Sequence, residues 1–171
     1  MLKKIMNRKN TTKFLSDLLI STKFNGIGKY WASEVSLDYG TKNVRRVDFM
    51  QFCPVNQTSV SGIEKGIFVC YEIKSCKADL QSGFGQNFVG EKNYFVMPMS
   101  VYKEVIMELP HDIGVLVPIP YYADKYEEFE NPTPLGKEDI EWKLATIKNP
   151  IQGNRARSMN ELLFCMLRAG H

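Results

Sequence analysis

Gly66-Ile67-Phe68-Val69-Cys70-Tyr71-Glu72-Ile73-Lys74-Ser75 is the stretch on which the reading of this chain turns. β-Branched and aromatic residues dominate it, and Gly66 and Ser75 bound it, which is the composition of a buried strand. Side chains alternate along a strand, so Phe68, Cys70, Glu72 and Lys74 share one face, and Ile67, Val69, Tyr71 and Ile73 the other. The second face suits a core throughout. The first runs apolar and then ends in a carboxylate followed by an ammonium. Charges buried alone are costly, so these two need partners, a metal or solvent at the strand's end.

Upstream, Val44 to Phe52 also alternates, with Val44, Arg46, Asp48, Met50 and Phe52 on one face. An antiparallel hairpin of the two strands would set Asp48 beside Glu72. Adjacent carboxylates repel, a divalent cation relieves the repulsion, and hard oxygen ligands suit Mg²⁺. Lys74, on the same side of the sheet, can orient a water or stabilise charge on a phosphate. Asp…Glu-x-Lys on paired strands is thus a coherent site for phosphodiester hydrolysis. A cross-strand salt bridge of Lys74 with Asp48 or Glu72 accounts for the same spacing equally well.

Further out, Thr11 to Ile20 carries a helical start signal at Thr11 or Thr12, and Lys29 to Leu37 reads as a second helix. Pro54 to Gly62 reads as a loop, and Lys77 to Leu80 opens a short helix. Asn93 to Met97 is an apolar strand, Ser100 caps a helix running to Leu109, and Ile113 to Val117 is another buried strand. That strand, helix, strand order implies parallel pairing. Tyr121 to Glu141 is acidic and reads as a long loop. Trp142 to Ile147 reads as a strand and Met159 to Ala169 as an amphipathic helix. The fold class is therefore α/β, a mixed central sheet flanked by helices.

The chain has 171 residues, 44% of them hydrophobic and 24% charged, enough for one domain over 1–171 with a real core. Its net charge of +3 says little about a polyanionic partner. The distribution says more, because basic ends flank an acidic middle. Cys53, Cys70, Cys76 and Cys165 show neither disulfide-framework nor zinc spacing and read as reduced packing thiols. The basic N-terminus lacks the long apolar run and small-residue cleavage site of a signal peptide, and nothing else spans a bilayer. These features point to a cytoplasmic protein without a membrane partner.

Val47-Asp48-Phe49, then Tyr71-Glu72-Ile73-Lys74-Ser75, then Lys77-Ala78-Asp79-Leu80 resemble the PD-(D/E)XK nuclease superfamily, which has the restriction-endonuclease-like fold. Within it the chain is most similar to the MmcB-like, DNA-repair-associated group and to small phage-type nucleases. The resemblance runs from about Glu34 to Pro118, within a nuclease-like core at about 29–118, followed by the acidic loop at about 121–141 and a C-terminal strand and helix at about 142–169. It implies hydrolysis of DNA with Mg²⁺, or Mn²⁺ in its place, in repair, recombination or phage DNA processing. It implies Asp48, Glu72 and Ile73 as metal ligands, Lys74 as the catalytic lysine, and Glu34, on the first helix of the nuclease-like core, as an accessory acid. Many such nucleases form homodimers to cut two strands. The chain departs from the pattern in having Arg46-Val47 where a proline precedes the aspartate, and a glycine-rich loop at 83–90 in place of a charged helix.

Lys92, Arg155 and Arg157 are the candidate phosphate contacts, with a solvated basic linker as the alternative for the two arginines. Asp79 is either a supporting residue or a surface one. Gly85 to Gly90 followed by Lys92 imitates a phosphate-binding loop. However, Glu91 intrudes, Asn93 replaces the hydroxyl residue, and no buried strand ends before Gly85. His111 and His171 are the only histidines, which leaves imidazole catalysis poorly supported. Phe24, Tyr30 and Trp31 read as core rather than base-stacking residues. The competing functional readings are a catalytically silent nuclease-fold module binding nucleic acid or a protein partner, and a phage-type interaction protein.

Overall fold

In a computed structural model, which describes residues 6–83, 86–136 and 139–170, six strands form one sheet in the order β1-β2-β3-β4-β5-β6. Residues 1–5, Phe84 and Gly85 of the glycine-rich loop, 137–138 of the acidic stretch and His171 lie outside the described residues. The strands are β1 (Tyr30–Leu37), β2 (Arg45–Cys53), β3 (Ile67–Ile73), β4 (Lys92–Val96), β5 (Gly114–Pro120) and β6 (Trp142–Lys148). β1, β2 and β3 pair antiparallel, β3, β4 and β5 parallel, and β6 closes antiparallel on β5. The protein is an α/β structure with a mixed central sheet flanked by helices.

The helices are α1 (Arg8–Leu19), α2 (Val60–Glu64), α3 (Lys77–Gln81), α4 (Met99–Val105), α5 (Lys125–Glu130) and α6 (Met159–Ala169). Helix α1 starts earlier than its threonines suggest, because the Asn7 side chain accepts from the Asn10 N–H. It continues into a π-helical turn over Ile20–Phe24. Helix α4 begins after Pro98 rather than at Ser100. Ser158 caps α6 by accepting from the N–H of Glu161, the N-terminal half of a capping box.

Two apolar clusters cover one face of the sheet. Val35, Val47, Met50, Phe68 and Cys70 pack with Leu162 and Cys165 of α6. Beside them Phe95, Val115 and Val117 pack with Val101 and Val105 of α4. On the opposite face Val69, Tyr71, Ile73, Val96 and Leu116 meet Leu15 and Leu19 of α1 together with Phe24. The two faces of β3 thus carry the residues that alternation assigns to them. Phe24 stacks on Trp31 with ring centroids 4.9 Å apart, which places both in the core assembly.

Three sequence expectations need correction. Lys29 to Leu37 is not a helix but strand β1. Glu34 sits in its middle at φ +56°, and the backbone twist there puts Ala32, Val35 and Leu37 into one cluster. A spacing of three and then two imitates helical periodicity. The segment 54–62 is not all loop, because α2 begins at Val60, and the acidic 121–141 stretch contains α5, capped by Asp124. All four cysteines are free. No helix among the described residues is long and apolar enough to cross a membrane.

Candidate active site

The ladder between β2 and β3 runs up to the pair Phe49–Tyr71. One step further the register sets Asp48 opposite Glu72, the juxtaposition expected from the sequence. The Asp48 carboxylate turns back into the ladder and accepts the N–H of Ile73 at 2.8 Å. Glu72 pairs in register with Phe95 of β4, so it stands on the α6 and α4 face of the sheet, between the two apolar clusters.

Glu72 has no exposed surface, and neither of its carboxylate oxygens makes a well-formed hydrogen bond, the main chain and carboxyl of Asp48 being polar groups close enough to act on it. Burial pushes its pKa up to about 9, and the nearby Asp48 charge adds to the rise. Burial also raises the Asp48 pKa, while its bond from Ile73 and the Lys74 ammonium act in the other direction. Lys74 is almost fully buried, and its main-chain N–H donates to the carbonyl of Val96, which fixes the end of β3 against β4. The Ile73 side chain belongs to the core, so only its main-chain carbonyl is able to ligate a cation.

These residues line a cleft of about 790 Å³ at the carboxyl end of β3, a volume typical of ligand sites. Arg8 and Thr12 of α1, Arg45 and Arg46 of β2, and Asp79 and Asn87 complete its walls. Asp79 accepts from the Ser75 N–H and hydroxyl and pairs with Arg8 at 2.6 Å, so it supports the cleft rather than standing free on the surface.

Glu34 lies across from Asp48 in the β1–β2 register and contributes to raising the Asp48 pKa, so it is brought to the rim of this site. It arrives there from a strand, not a helix, and its carboxylate pairs with Arg46 at 2.6 Å. Lys92, Arg155 and Arg157 are not brought to the cleft. Lys92 pairs in register with Val69, three residues before Glu72 and toward the other end of β3. Arg155 binds Glu91, whose other oxygen accepts the Phe68 N–H. Arg157 grips Asp38 through two nitrogens at 2.8 and 2.9 Å and also reaches Glu161.

The sequence reading missed Arg8, Arg45 and Arg46. Arg46 was legible, since alternation puts it on the face of Asp48. Arg8 was not, because only the packing of α1 on the sheet carries it there. Comparison with protein-family models, with curated proteins and with solved structures finds no match to this chain.

Proposed function

We propose that the protein is a metal-dependent nuclease that hydrolyses DNA phosphodiester bonds, in keeping with its resemblance to the PD-(D/E)XK superfamily. The observation that carries this reading is Glu72, a fully buried carboxylate with neither oxygen in a well-formed hydrogen bond, held next to a second carboxylate. Native proteins leave few buried polar atoms unsatisfied, and those few call for an explanation such as an ion. The donor set of Asp48, Glu72 and the Ile73 carbonyl is hard oxygen. Mg²⁺ is commonly held by one or two carboxylates, with water and substrate phosphate filling the other positions. Bound there, such a cation would offset both carboxylates and withdraw charge from a phosphodiester. Lys74 supplies an ammonium at the same wall of the cleft, suited to stabilising a developing phosphate charge. Glu34 stands as an accessory acid at the rim.

The second reading is a nuclease-fold module that binds without cutting. One observation favours it: among the described residues, no group of three or more His, Cys, Asp or Glu side chains gathers as a ligand set. Incubating labelled single-stranded, duplex and branched DNA with Mg²⁺ or Mn²⁺ separates the two. Metal-dependent cutting that disappears in Glu72→Gln and Lys74→Met supports the nuclease. Binding without cutting supports the silent module, and cutting that persists in both variants places the activity elsewhere.

A further inference from the structure

Of the six arginines, Arg168 donates to the Ser36 carbonyl and lies over the Tyr39 ring, and the other five fall into two groups. Arg155 and Arg157 are largely covered, with side chains 29% and 22% exposed, and are committed to carboxylates of the fold. Arg8, Arg45 and Arg46, at 70%, 45% and 60%, stand at the mouth of the cleft. Each of these three is held by one carboxylate: Arg8 by Asp79, Arg45 by Asp38 and Arg46 by Glu34. Arg46–Glu34 is exposed on both sides and contributes little net free energy, while the more covered Asp79 and Asp38 keep other donors, Ser75 and Arg157, when a phosphate takes over their arginine.

The arginines stand on two sides. Arg8 rises from α1, and its bond to Asp79 joins α1 to α3 as one wall. Arg45 and Arg46 rise from β2, where the Asn87 amide donates to the Arg46 carbonyl at 2.8 Å and extends that wall into the segment after α3. Between them the floor holds Asp48, Glu72 and Lys74. Glu72 has no surface of its own, so a phosphodiester must enter the cleft to approach it. A duplex, with a persistence length of about 150 base pairs, is too stiff to bend one backbone into such a recess without distortion. A single strand bends freely.

We propose that the cleft takes one unpaired polynucleotide strand, its phosphates held between Arg8 on one wall and Arg45 and Arg46 on the other. The proposal rests on the nuclease reading of the same site and adds the strand form of the substrate and the residues that grip it. Among the described residues that line the cleft the groups offered to a strand are charged or polar rather than aromatic, so binding is expected to depend steeply on salt.

The test is fluorescence anisotropy of a short fluorescein-labelled DNA strand, and of the blunt duplex of the same sequence, titrated with the full chain in EDTA. The single strand is expected to bind about tenfold tighter than the duplex. Arg8→Ala, Arg45→Ala and Arg46→Ala should each weaken it several-fold and lower the salt slope by about 0.7. Lys103→Ala, whose cation lies over Phe129, controls for loss of charge alone and should leave binding unchanged. Equal or tighter binding of the duplex overturns the proposal, as do arginine variants that bind like the wild type, or no binding of either form. Strand binding with no cutting on metal addition overturns the nuclease reading and leaves the strand track standing. Cutting of a duplex that binds as well as the strand does the reverse.

Discussion

The Asp48 carboxylate accepts a 2.8 Å hydrogen bond from the N–H of Ile73, the residue between Glu72 and Lys74. A side chain of β2 thus continues the ladder to β3 beyond its last main-chain pair and fixes the strand that carries the other two site residues. Asp48 has a structural duty as well as a chemical one, and the two are separable.

Asp48→Asn keeps an oxygen able to accept from Ile73 and is expected to melt close to the wild type. Asp48→Ala leaves that N–H without its partner and should lose about 1–3 kcal/mol. Both should abolish metal-dependent activity, since an amide is a poor substitute for a carboxylate ligand. Thermal melts beside cleavage assays check this. An alanine variant as stable as the asparagine one would remove the structural part of the argument.

The pKa of Glu72 near 9 lies far above its ordinary value of 4.5, because burial disfavours the charged form. The folded state therefore holds a proton that the unfolded chain releases. In metal-free protein this stabilisation is complete below about pH 4.5 and falls as pH rises toward about 9, at a slope of up to about 1.4 kcal/mol per pH unit. The Asp48 shift acts in the same direction. Melting in EDTA across that range should show the decline in wild type and a flatter profile in Glu72→Gln. Parallel profiles would mean that Glu72 does not carry the dependence.

The fold was legible wherever one period governed a segment. On β3 the alternation named both faces and located the carboxylate and ammonium at its end. On β2 the alternation held only in part, because Val47 packs in the cluster of Met50 and Phe52 while Phe49 packs on the opposite face. Strand β1 was not legible, because the positive φ at Glu34 shifts its buried positions to Ala32, Val35 and Leu37. No propensity argument announces a left-handed glutamate in mid-strand. The cleft's floor could be read because it belongs to two neighbouring strands. Its arginine rim comes partly from α1, which is remote in sequence, and Arg155 and Arg157 looked available only because their carboxylate partners are equally remote.

Those partners make a stability prediction. Glu91 is nearly buried and depends on Arg155 and the Phe68 N–H, so Arg155→Ala strands a covered carboxylate. A loss of about 2–4 kcal/mol is expected, equivalent to a fall in Tm of roughly 5–15 °C for a chain of this size. Arg46→Ala breaks an exposed pair and should cost under about 0.5 kcal/mol. Differential scanning calorimetry of the two variants checks the contrast. Similar losses would contradict the division into structural and cleft arginines.

Gly90 supplies the last prediction, because it was the residue that most resembled a phosphate-binding loop. Its conformation asks for no glycine, since its φ is not in the left-handed region. Its surroundings do. A Cβ at this position would lie 2.5 Å from the Phe68 carbonyl oxygen and 3.0 Å from its carbon, atoms of the β3 backbone that cannot swing aside. The absent side chain is what lets the segment entering β4 approach β3, next to the bond between Glu91 and the Phe68 N–H. Gly90→Ala must push two strands apart, an overpacking cost of about 1–3 kcal/mol or more. The variant should melt lower and show no accompanying change in nucleotide binding, since Glu91 and Asn93 break the sequence pattern of a phosphate-binding loop. An unchanged melt would show that the strands can part without cost. ATP binding by the wild type that the variant loses would restore the phosphate-loop reading.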